Sequence, residues 1–341
     1  MTREVWRVAK PGSARGLVRE VEPAGELAPD RVRIAVRAVG LNFADAFAIQ
    51  GLYEAAPKGP FVPGLEVSGV VERVGASAGA RFAPGMRVMA VARFGGYATS
   101  IDLAPDFLAP LPAAWSFEEG AAHPVQALTA YYAAVELGAL ERGACVLVHS
   151  AAGGVGVQLL RIGRRYDAFL IGTVGHADKL PVLEREGCNV SIVRGRDLEG
   201  QIREAVGGRK LTLVLDAVGG DVLAASYRAL APTGRLVTYG AASLATPGSR
   251  PHYLALAWRY LRRPRLDPLD LIAKNKAVLG FNLIWLYEQK ALLDRILRGI
   301  EALDLPAPLV GERHAWAELP AAVERLRSGR TVGKVVVGVP D

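Results

Sequence analysis

The stretch from Val146 to Gly156 reads VLVHSAAGGVG, and it decides the fold of this chain. It begins with an apolar run typical of a buried strand and continues as an A-x-G-x-x-G turn, which opens a helix in dinucleotide-binding folds. Gly153 lets the backbone approach a pyrophosphate, and Gly156 lets the helix pack tightly on the strand. The N–H groups at the start of the helix attract the anion. The cofactor contacts predicted here are Ala151, Gly153, Gly154, Val155 and Gly156.

Strands and helices alternate on both sides of this turn. The alternation is typical of an α/β protein with a Rossmann doubly wound parallel sheet. The predicted strands are Cys145–His149, Phe169–Thr173, Val190–Val193, Leu211–Asp216 and Arg235–Tyr239. The predicted helices are Glu118–Leu137, Val155–Tyr166, Lys179–Gly187, Asp197–Val206 and Val222–Leu230.

Short strands separated by glycine and proline occupy the first hundred residues. Arg31–Val39, Val67–Val74 and Arg87–Ala92 predict an antiparallel, barrel-like β region. After the α/β part come a helix at Leu292–Leu303 and a strand at Val332–Val339. We expect this C-terminal tail to return to the β region.

Composition narrows the class of protein further. The 341 residues are 51% hydrophobic and 22% charged, which fits about two globular domains and excludes disorder. The two cysteines, Cys145 and Cys188, exclude a disulfide framework and any multi-cysteine metal site. The net charge of +7 is interpreted as an arginine-rich composition, and no motif predicts nucleic-acid binding. Without a leader sequence or an apolar run of membrane-spanning length, we expect a cytoplasmic protein.

Two features predict which dinucleotide the α/β part binds: nearby cations, and the lack of an acid directly after the second strand. A chain that binds NAD usually places an acid there for the ribose 2′-hydroxyl. Here the strand runs into Gly175, Lys179 follows shortly afterwards, and Arg194 follows the third strand. These cations favour the 2′-phosphate of NADPH. Asp178 is the counter-indication, because it would accept the 2′-hydroxyl of NADH if it pointed inward.

Later strand ends are expected to line the same crevice, because ligands bind at the carboxyl ends of parallel strands. The residues predicted to contact the cofactor there are Val218, Tyr239, Gly240, Phe281 and Asn282.

Taken together, these stretches resemble the medium-chain dehydrogenase/reductase superfamily, specifically its zinc-independent quinone oxidoreductase (zeta-crystallin-like) branch. The motifs that carry the resemblance are Gly40–Asp45, Gly51–Tyr53, Pro63–Gly69, Val146–Gly156 and Val332–Val336. Within the branch the chain looks most like the vesicle amine transport protein subgroup. That likeness rests on Asn42–Asp45, Gln50–Tyr53, Thr238–Gly240, Gly280–Leu283 and a basic insert at 250–265.

The resemblance implies a domain order and an assembly. Residues 1–120 and 286–341 would form a GroES-like β-barrel catalytic domain, with a Rossmann NADP-binding domain at 121–285 inserted between them. It also implies a homodimer joined through the last Rossmann strand, near Ala277–Phe281.

The resemblance also bears on metal binding and mechanism. Zinc-dependent relatives hold the metal with Cys, His and Cys, and the matching positions here are Asn42, Leu65 and Val125, so no metal is expected. Without a Lewis acid, we expect NADPH to reduce activated acceptors, either quinones or α,β-unsaturated carbonyls. The predicted catalytic residues are Asn42 as a neutral donor beside the nicotinamide, Tyr53 (or a water) as proton donor, and Gln126 in the same pocket. Thr129 is expected on the nicotinamide amide or ribose, and Lys334 on cofactor or substrate.

One segment leaves a second function open. Residues 250–265 contain a short apolar stretch that ends in arginines. It predicts either an amphipathic helix that covers the α/β domain, or a surface helix that binds anionic lipid or a protein partner. In the second case the chain would be a non-catalytic protein that kept the nucleotide fold.

Overall fold

The computed structural model describes residues 1–245 and 251–340, and it divides them into two units. Unit 1 contains residues 1–125, 251 and 307–340, and unit 2 contains residues 126–245 and 252–306. Unit 2 is therefore inserted between two parts of unit 1. The predicted divisions after residues 120 and 285 lie before the structural ones, after 125 and 306.

The elements have the following bounds. The strands are β1 (Thr2–Val8), β2 (Leu17–Pro23), β3 (Val32–Gly40), β4 (Glu66–Val74), β5 (Arg87–Val91), β6 (Ser100–Leu103), β7 (Leu108–Pro110), β8 (Cys145–His149), β9 (Phe169–Val174), β10 (Val190–Val193), β11 (Leu211–Asp216), β12 (Arg235–Thr238), β13 (Ala277–Gly280), β14 (Val310–Ala315) and β15 (Lys334–Gly338). The α-helices are α1 (Phe43–Ile49), α2 (Phe117–Ala121), α3 (Pro124–Tyr131), α4 (Gly154–Arg165), α5 (Leu180–Arg185), α6 (Leu198–Val206), α7 (Asp221–Ala229), α8 (Tyr253–Leu261), α9 (Pro268–Lys274), α10 (Lys290–Ala302) and α11 (Leu319–Arg327).

Unit 2 is built on a six-stranded parallel sheet with the order β10-β9-β8-β11-β12-β13. This is the doubly wound Rossmann order, in which β8 and β11 flank the point where the strand order reverses. The central strand β8 is buried along its whole length, as its apolar sequence predicts. β13 lies at one edge of the sheet, as pairing with a second copy would require, and the homodimer stays a prediction.

Unit 1 holds a seven-stranded sheet in which β14, β15, β3, β4, β5 and β7 are neighbours and β6 also pairs with β3. The C-terminal strand β15 pairs antiparallel with β3, with Val336 opposite Gly40. This pairing confirms the predicted return to the β region for the C-terminal strand, whereas the helix predicted at Leu292–Leu303 lies in unit 2. The α/β fold class, with a Rossmann-like parallel sheet and a GroES-like domain, is confirmed.

The helix predicted at Glu118–Leu137 is wrong as a single element. The structure breaks it at His123, starts α3 at Pro124, and continues it as a π-helix over Tyr132–Leu137. Proline has no N–H to donate and fits best in the first turn of a helix, so Pro124 ends one helix and begins the next. The apolar periodicity alone did not reveal this break.

The second predicted division is displaced because α10 packs inside unit 2. Ile296 and Ile300 are buried. Gly299 lies so close to Tyr131 that a Cβ there would be 2.0 Å from its hydroxyl oxygen. Among the described helices, none is both long enough and apolar enough to cross a membrane.

Candidate functional site

The glycine-rich turn joins β8 to α4, with Gly153 at the N-cap of the helix. A Cβ at Gly156 would lie 2.4 Å from the carbonyl oxygen of Ser150 and 2.6 Å from the Cα of Ala151, so only glycine fits. At Gly153 the nearest atom to such a Cβ is 3.3 Å away. The first turn of α4 carries no acidic residue, and its N–H groups lack partners within the helix. The turn therefore has the geometry to hold a phosphate.

The side chain of Arg194, the residue after β10, lies at the end of β9. The Nη1 of Arg194 donates to the hydroxyl oxygen of Thr173 over 3.1 Å. A Cβ at Gly175 would be 3.2 Å from the Nη2 of Arg194. The Arg194 side chain is half-buried, and burial lowers its pKa while Asp216 acts against that shift. In the part of the chain that the structure describes, no carboxylate forms an ion pair with it.

The two other residues considered for the 2′-position follow Gly175 along the chain. Lys179 is buried immediately before α5. Asp178 is exposed in the short turn Ala177–Lys179. The buried residue of this pair is therefore the cation, and the exposed one is the carboxylate.

Asp216 ends β11 and organises the next turn. Its buried carboxylate accepts hydrogen bonds from the N–H groups of Val218 (2.8 Å) and Gly219 (3.0 Å). Burial raises the pKa of Asp216 to about 6, against those hydrogen bonds. Gly219 and Gly220 have φ of 74° and 59°, in the left-handed region that favours glycine. This places Val218 in a turn fixed by Asp216.

Aromatic rings gather beyond β12 and β13. Phe281 lies edge-on to Tyr132, with ring centroids 4.8 Å apart, and tilted against Tyr239 at 6.1 Å. The Tyr239 hydroxyl is buried and has no hydrogen-bond partner among the described residues. Gly240 packs on Ala217, whose carbonyl oxygen would be 2.6 Å from a Cβ there.

Asn282 was predicted to contact the cofactor, and Tyr132 was not. Asn282 begins the turn after β13, where its carbonyl accepts from the N–H of Trp285 (3.2 Å). The sequence did not single out Tyr132, which contacts Phe281 and begins the π-helix, a feature frequent at functional sites that only the structure shows.

In unit 1 the structure brings Asn42, Glu66 and Lys334 together in a buried group that also includes Asp45, which we call the Lys334 cluster. The Nζ of Lys334 donates to the Oδ1 of Asn42 (2.8 Å) and forms an ion pair with Glu66. The Nδ2 of Asn42 donates to Glu66 (2.9 Å) and to the carbonyl of Gly40 (3.3 Å). The side-chain amide of Asn42 therefore donates both of its hydrogens to acceptors within the protein.

Asp45 completes the Lys334 cluster. Its carboxylate accepts hydrogen bonds from the N–H of Asn42 (2.8 Å) and from the N–H of Gly64 (3.2 Å). The first of these bonds caps α1. Burial raises the pKa of Asp45 to about 7, opposed by these bonds and by Lys334. Burial also lowers the pKa of Lys334, and Glu66 resists that shift.

Tyr53 lies in an aromatic group of unit 1. Its ring is edge-on to Phe94 at 6.4 Å, and Phe94 is edge-on to Phe61 at 5.5 Å. The other predicted pocket residues, Gln126 and Thr129, are buried on α3 and belong to unit 2. The predicted site residues thus form separate groups in each unit.

Potential metal ligands among the described residues do not cluster. Over residues 1–245 and 251–340, no group of three or more His, Cys, Asp or Glu side chains is arranged to hold a metal ion. The positions that match zinc ligands in related proteins are Asn42, Leu65 and Val125. None of these side chains is one that zinc favours.

Comparison with known proteins gives consistent matches. The profile described as "Alcohol dehydrogenase GroES-like domain" matches residues 28–113, and the one described as "Zinc-binding dehydrogenase" matches residues 190–337. The chain is 34% identical to the synaptic vesicle membrane protein VAT-1 homolog of Rattus norvegicus, over 91% of this chain and 77% of that protein. It is 32% identical to the VAT-1 homolog of Danio rerio, over 94% of this chain and 66% of that protein, just under two thirds.

A solved structure extends the similarity. The quinone oxidoreductase from Thermus thermophilus, solved also in complex with NADPH, is 31% identical and superposes with a TM-score of 0.79. The similarity covers 98% of this chain and 100% of that one. These matches span both units and agree with one another on a single family.

Proposed function

This chain belongs to the zinc-independent, quinone oxidoreductase-like branch of the medium-chain dehydrogenase/reductase family, and we propose that it is an NADPH-dependent reductase of quinones or α,β-unsaturated carbonyls. The coarser statement, that it is an oxidoreductase of this family, follows from the matches in both units. The substrate class and the preference for NADPH are the proposal.

The observation that carries the proposal is the guanidinium of Arg194. It is half-buried beside Gly175, and no carboxylate in the described residues pairs with it. A half-buried cation without an ion pair is unfavourable, the charge of Asp216 offsets only part of that cost, and a bound anion relieves the rest. The ribose 2′-phosphate of NADPH supplies such an anion, while NADH has only a hydroxyl there.

The remaining cofactor contacts follow the carboxyl edge of the unit 2 sheet. The N–H groups at the start of α4 would hold the pyrophosphate, since the turn at Gly153 keeps them open. We place Lys179 near the 2′-phosphate, and Thr129, Val218, Tyr239, Phe281 and Asn282 along the rest of the dinucleotide. When bound, NADPH supplies a hydride to the acceptor.

On the substrate side the structure changes the roles expected of the polar residues. Asn42 is committed to Glu66 and Gly40, so we assign it the positioning of Lys334 rather than donation to a substrate oxygen. Lys334 in turn is bound within the Lys334 cluster. Tyr53, half-buried against Phe94, is the residue that we propose to donate the proton.

Calorimetry with NADPH and NADH, followed by NADPH oxidation assays with quinones and enones, tests this function. We expect saturable binding of NADPH, about tenfold or more tighter than NADH, as charge-assisted hydrogen bonds to one phosphate would give. We also expect NADPH consumption that depends on the acceptor. If NADPH fails to bind, the proposal is wrong.

A second function has one observation in its favour. On α8, Leu254, Trp258 and Leu261 are 81%, 60% and 67% exposed, an unusual amount of apolar surface for one helix. Arg262 and Arg263 lie over the rings of Trp258 and Tyr260. The basic segment was predicted at 250–265, of which residue 250 lies outside the described residues.

Such a helix would bind an anionic lipid surface, with the apolar side chains in the interface and the arginines at the headgroups. Co-sedimentation with phosphatidylserine vesicles tests this, using a variant with Arg259, Arg262 and Arg263 replaced by Gln. Vesicle binding that this variant loses, in a protein that binds NADPH but reduces no acceptor, would favour the non-catalytic function.

A further inference from the structure

A chain of buried polar side chains runs through unit 2 behind Arg194, and none of the roles proposed above uses it. It consists of Thr173 on β9, His149 on β8 and Ser226 on α7, each with no measurable exposure. The His149 Nδ1 lies 2.8 Å from the Thr173 hydroxyl, and its Nε2 lies 2.7 Å from the Ser226 hydroxyl. Together with Arg194 we call these residues the Arg194 chain.

The direction of each hydrogen bond in the Arg194 chain follows from its two ends. The Ser226 hydroxyl donates to the carbonyl of Val222 (2.8 Å), so toward His149 it accepts. The Nε2 of His149 must then carry the hydrogen, which leaves Nδ1 as an acceptor for the hydroxyl of Thr173. The oxygen of Thr173 is thereby oriented to accept from Arg194. Every donor along the chain has one acceptor.

This arrangement does not titrate near neutral pH. Burial, together with the charge of Arg194, lowers the pKa of His149 to about 3. His149 therefore stays neutral and keeps Nδ1 as an acceptor. The hydroxyl of Thr173 is consequently held in one orientation, with its lone pairs toward the guanidinium.

We propose that Thr173, His149 and Ser226 are positioning residues that fix Arg194 for the 2′-phosphate and so set the preference for NADPH over NADH. This inference rests on the proposed function. The side chain of Arg194 has many rotamers and no ion pair to fix it, so ordering it on binding would weaken affinity. The bond from Nη1 to Thr173 orders one edge of the guanidinium before any ligand arrives. Because Gly175 has no Cβ, Nη2 can lie directly over its backbone.

The test compares Thr173→Val, which removes the hydroxyl while keeping the shape, with Thr173→Ser, which keeps the hydroxyl. Calorimetry measures the affinity of each protein for 2′,5′-ADP and for 5′-AMP, two probes that differ only in the 2′-phosphate. We expect Thr173→Val to weaken 2′,5′-ADP about tenfold, as loss of an ordered charged contact would. We expect it to leave 5′-AMP unchanged, and Thr173→Ser to behave like the unmodified protein.

A double mutant separates positioning from general damage. If Thr173 acts through Arg194, then Thr173→Val adds no further loss of 2′,5′-ADP affinity in an Arg194→Gln background. Should Thr173→Val fail to fold, Ser226→Ala decides the question, because it removes the acceptor at the other end of the chain. We expect Ser226→Ala to lower the ratio of the two affinities by about threefold.

The outcomes are distinct for the two proposals. If the unmodified protein prefers 2′,5′-ADP and the variants keep that preference, the inference is overturned and the proposed function stands. If the unmodified protein binds both probes equally, the assignment of NADPH itself fails. A loss of affinity for both probes in Thr173→Val, also seen in the Arg194→Gln background, would likewise overturn a positioning role.

Discussion

The Arg194 chain and the Lys334 cluster are both buried polar networks that contain one basic side chain, yet they treat its charge differently. Lys334 is bound by Glu66 and Asn42, so its charge is compensated inside unit 1. Arg194 is held by a neutral hydroxyl and forms no ion pair among the described residues, and the charge of Asp216 offsets only part of its burial. A cation within an ion pair stabilises the fold, whereas an ordered cation without one is suited to bind an anion.

The largest effect that we expect comes from breaking the Lys334 cluster. Lys334→Met would leave the buried carboxylate of Glu66 without its counter-ion, which costs about 3–5 kcal/mol of unfolding free energy. Urea denaturation measures this loss. The matched control is Lys274→Met, which breaks an exposed pair with Asp270 and should cost about 0.5 kcal/mol or less. Equal losses in the two variants would contradict the stabilising role assigned to the buried Lys334 cluster.

Removing the cation without an ion pair should affect binding instead of stability. We expect Arg194→Gln to reduce the NADPH-to-NADH affinity ratio by about 10- to 100-fold, because charged hydrogen bonds to the 2′-phosphate are lost. Its unfolding free energy should fall little, since no carboxylate among the described residues loses an ion pair. Arg196→Gln, an exposed change of the same charge two residues away, controls for net charge. A ratio that drops equally in this control would argue against a specific site.

Substitutions at the two glycines of the α4 turn should separate an effect on stability from an effect on binding, and the expected changes are smaller than those above. Gly156→Ala places a Cβ against the backbone of Ser150 and Ala151 and should cost about 1–3 kcal/mol in unfolding free energy. Gly153→Ala meets its nearest atom at 3.3 Å, so it should lose less stability than Gly156→Ala while it loses NADPH affinity. Thermal unfolding and calorimetry on both variants check this. The prediction is wrong if Gly156→Ala is as stable as the unmodified protein.

The smallest effect that we expect is the contribution of Asp45 to the pH dependence of the unfolding free energy. Its pKa is raised to about 7 in the folded protein, from about 4 in the unfolded chain. The folded state thus retains a proton that the unfolded state has lost, so this carboxyl contributes less stability as pH rises from 4 to 7. Asp45→Asn removes the titration. We expect the stability advantage of the unmodified protein over this variant to fall by about 1 kcal/mol between pH 6 and 8. Urea unfolding at both pH values measures the change, and a constant difference would refute the prediction.

Local sequence patterns were sufficient to predict most of the strands and helices of the α/β fold. The strands at Cys145–His149, Val190–Val193 and Leu211–Asp216 lie at their predicted bounds, because buried parallel strands are short apolar runs with clear turns around them. The break at Pro124 was missed because apolar periodicity continues across it. The second division of the chain was misplaced because α10 could pack on either unit, and only its contacts with residues such as Tyr131 decide which.

Predictions for the candidate sites were limited in the same way, because they succeeded only where the contacts are local in sequence. Gly156 was predicted for the correct reason, since its role depends on residues next to it in the chain. Lys334 was predicted as a contact to cofactor or substrate, but its partners Asn42 and Glu66 lie 292 and 268 residues away. Nothing in the sequence connects His149 with Thr173 or Ser226, because these residues lie on three separate elements.

By itself the sequence determined the glycine-rich turn between strand and helix and the alternation of strands and helices, because each depends on residue type or on neighbours within a few positions. The tertiary structure alone decided which charges are compensated. Hydrogen bonds and ion pairs form between side chains that only folding brings within about 3 Å. For this reason Lys334 became part of a closed network, and Arg194 remained the ordered cation that we propose binds the ligand.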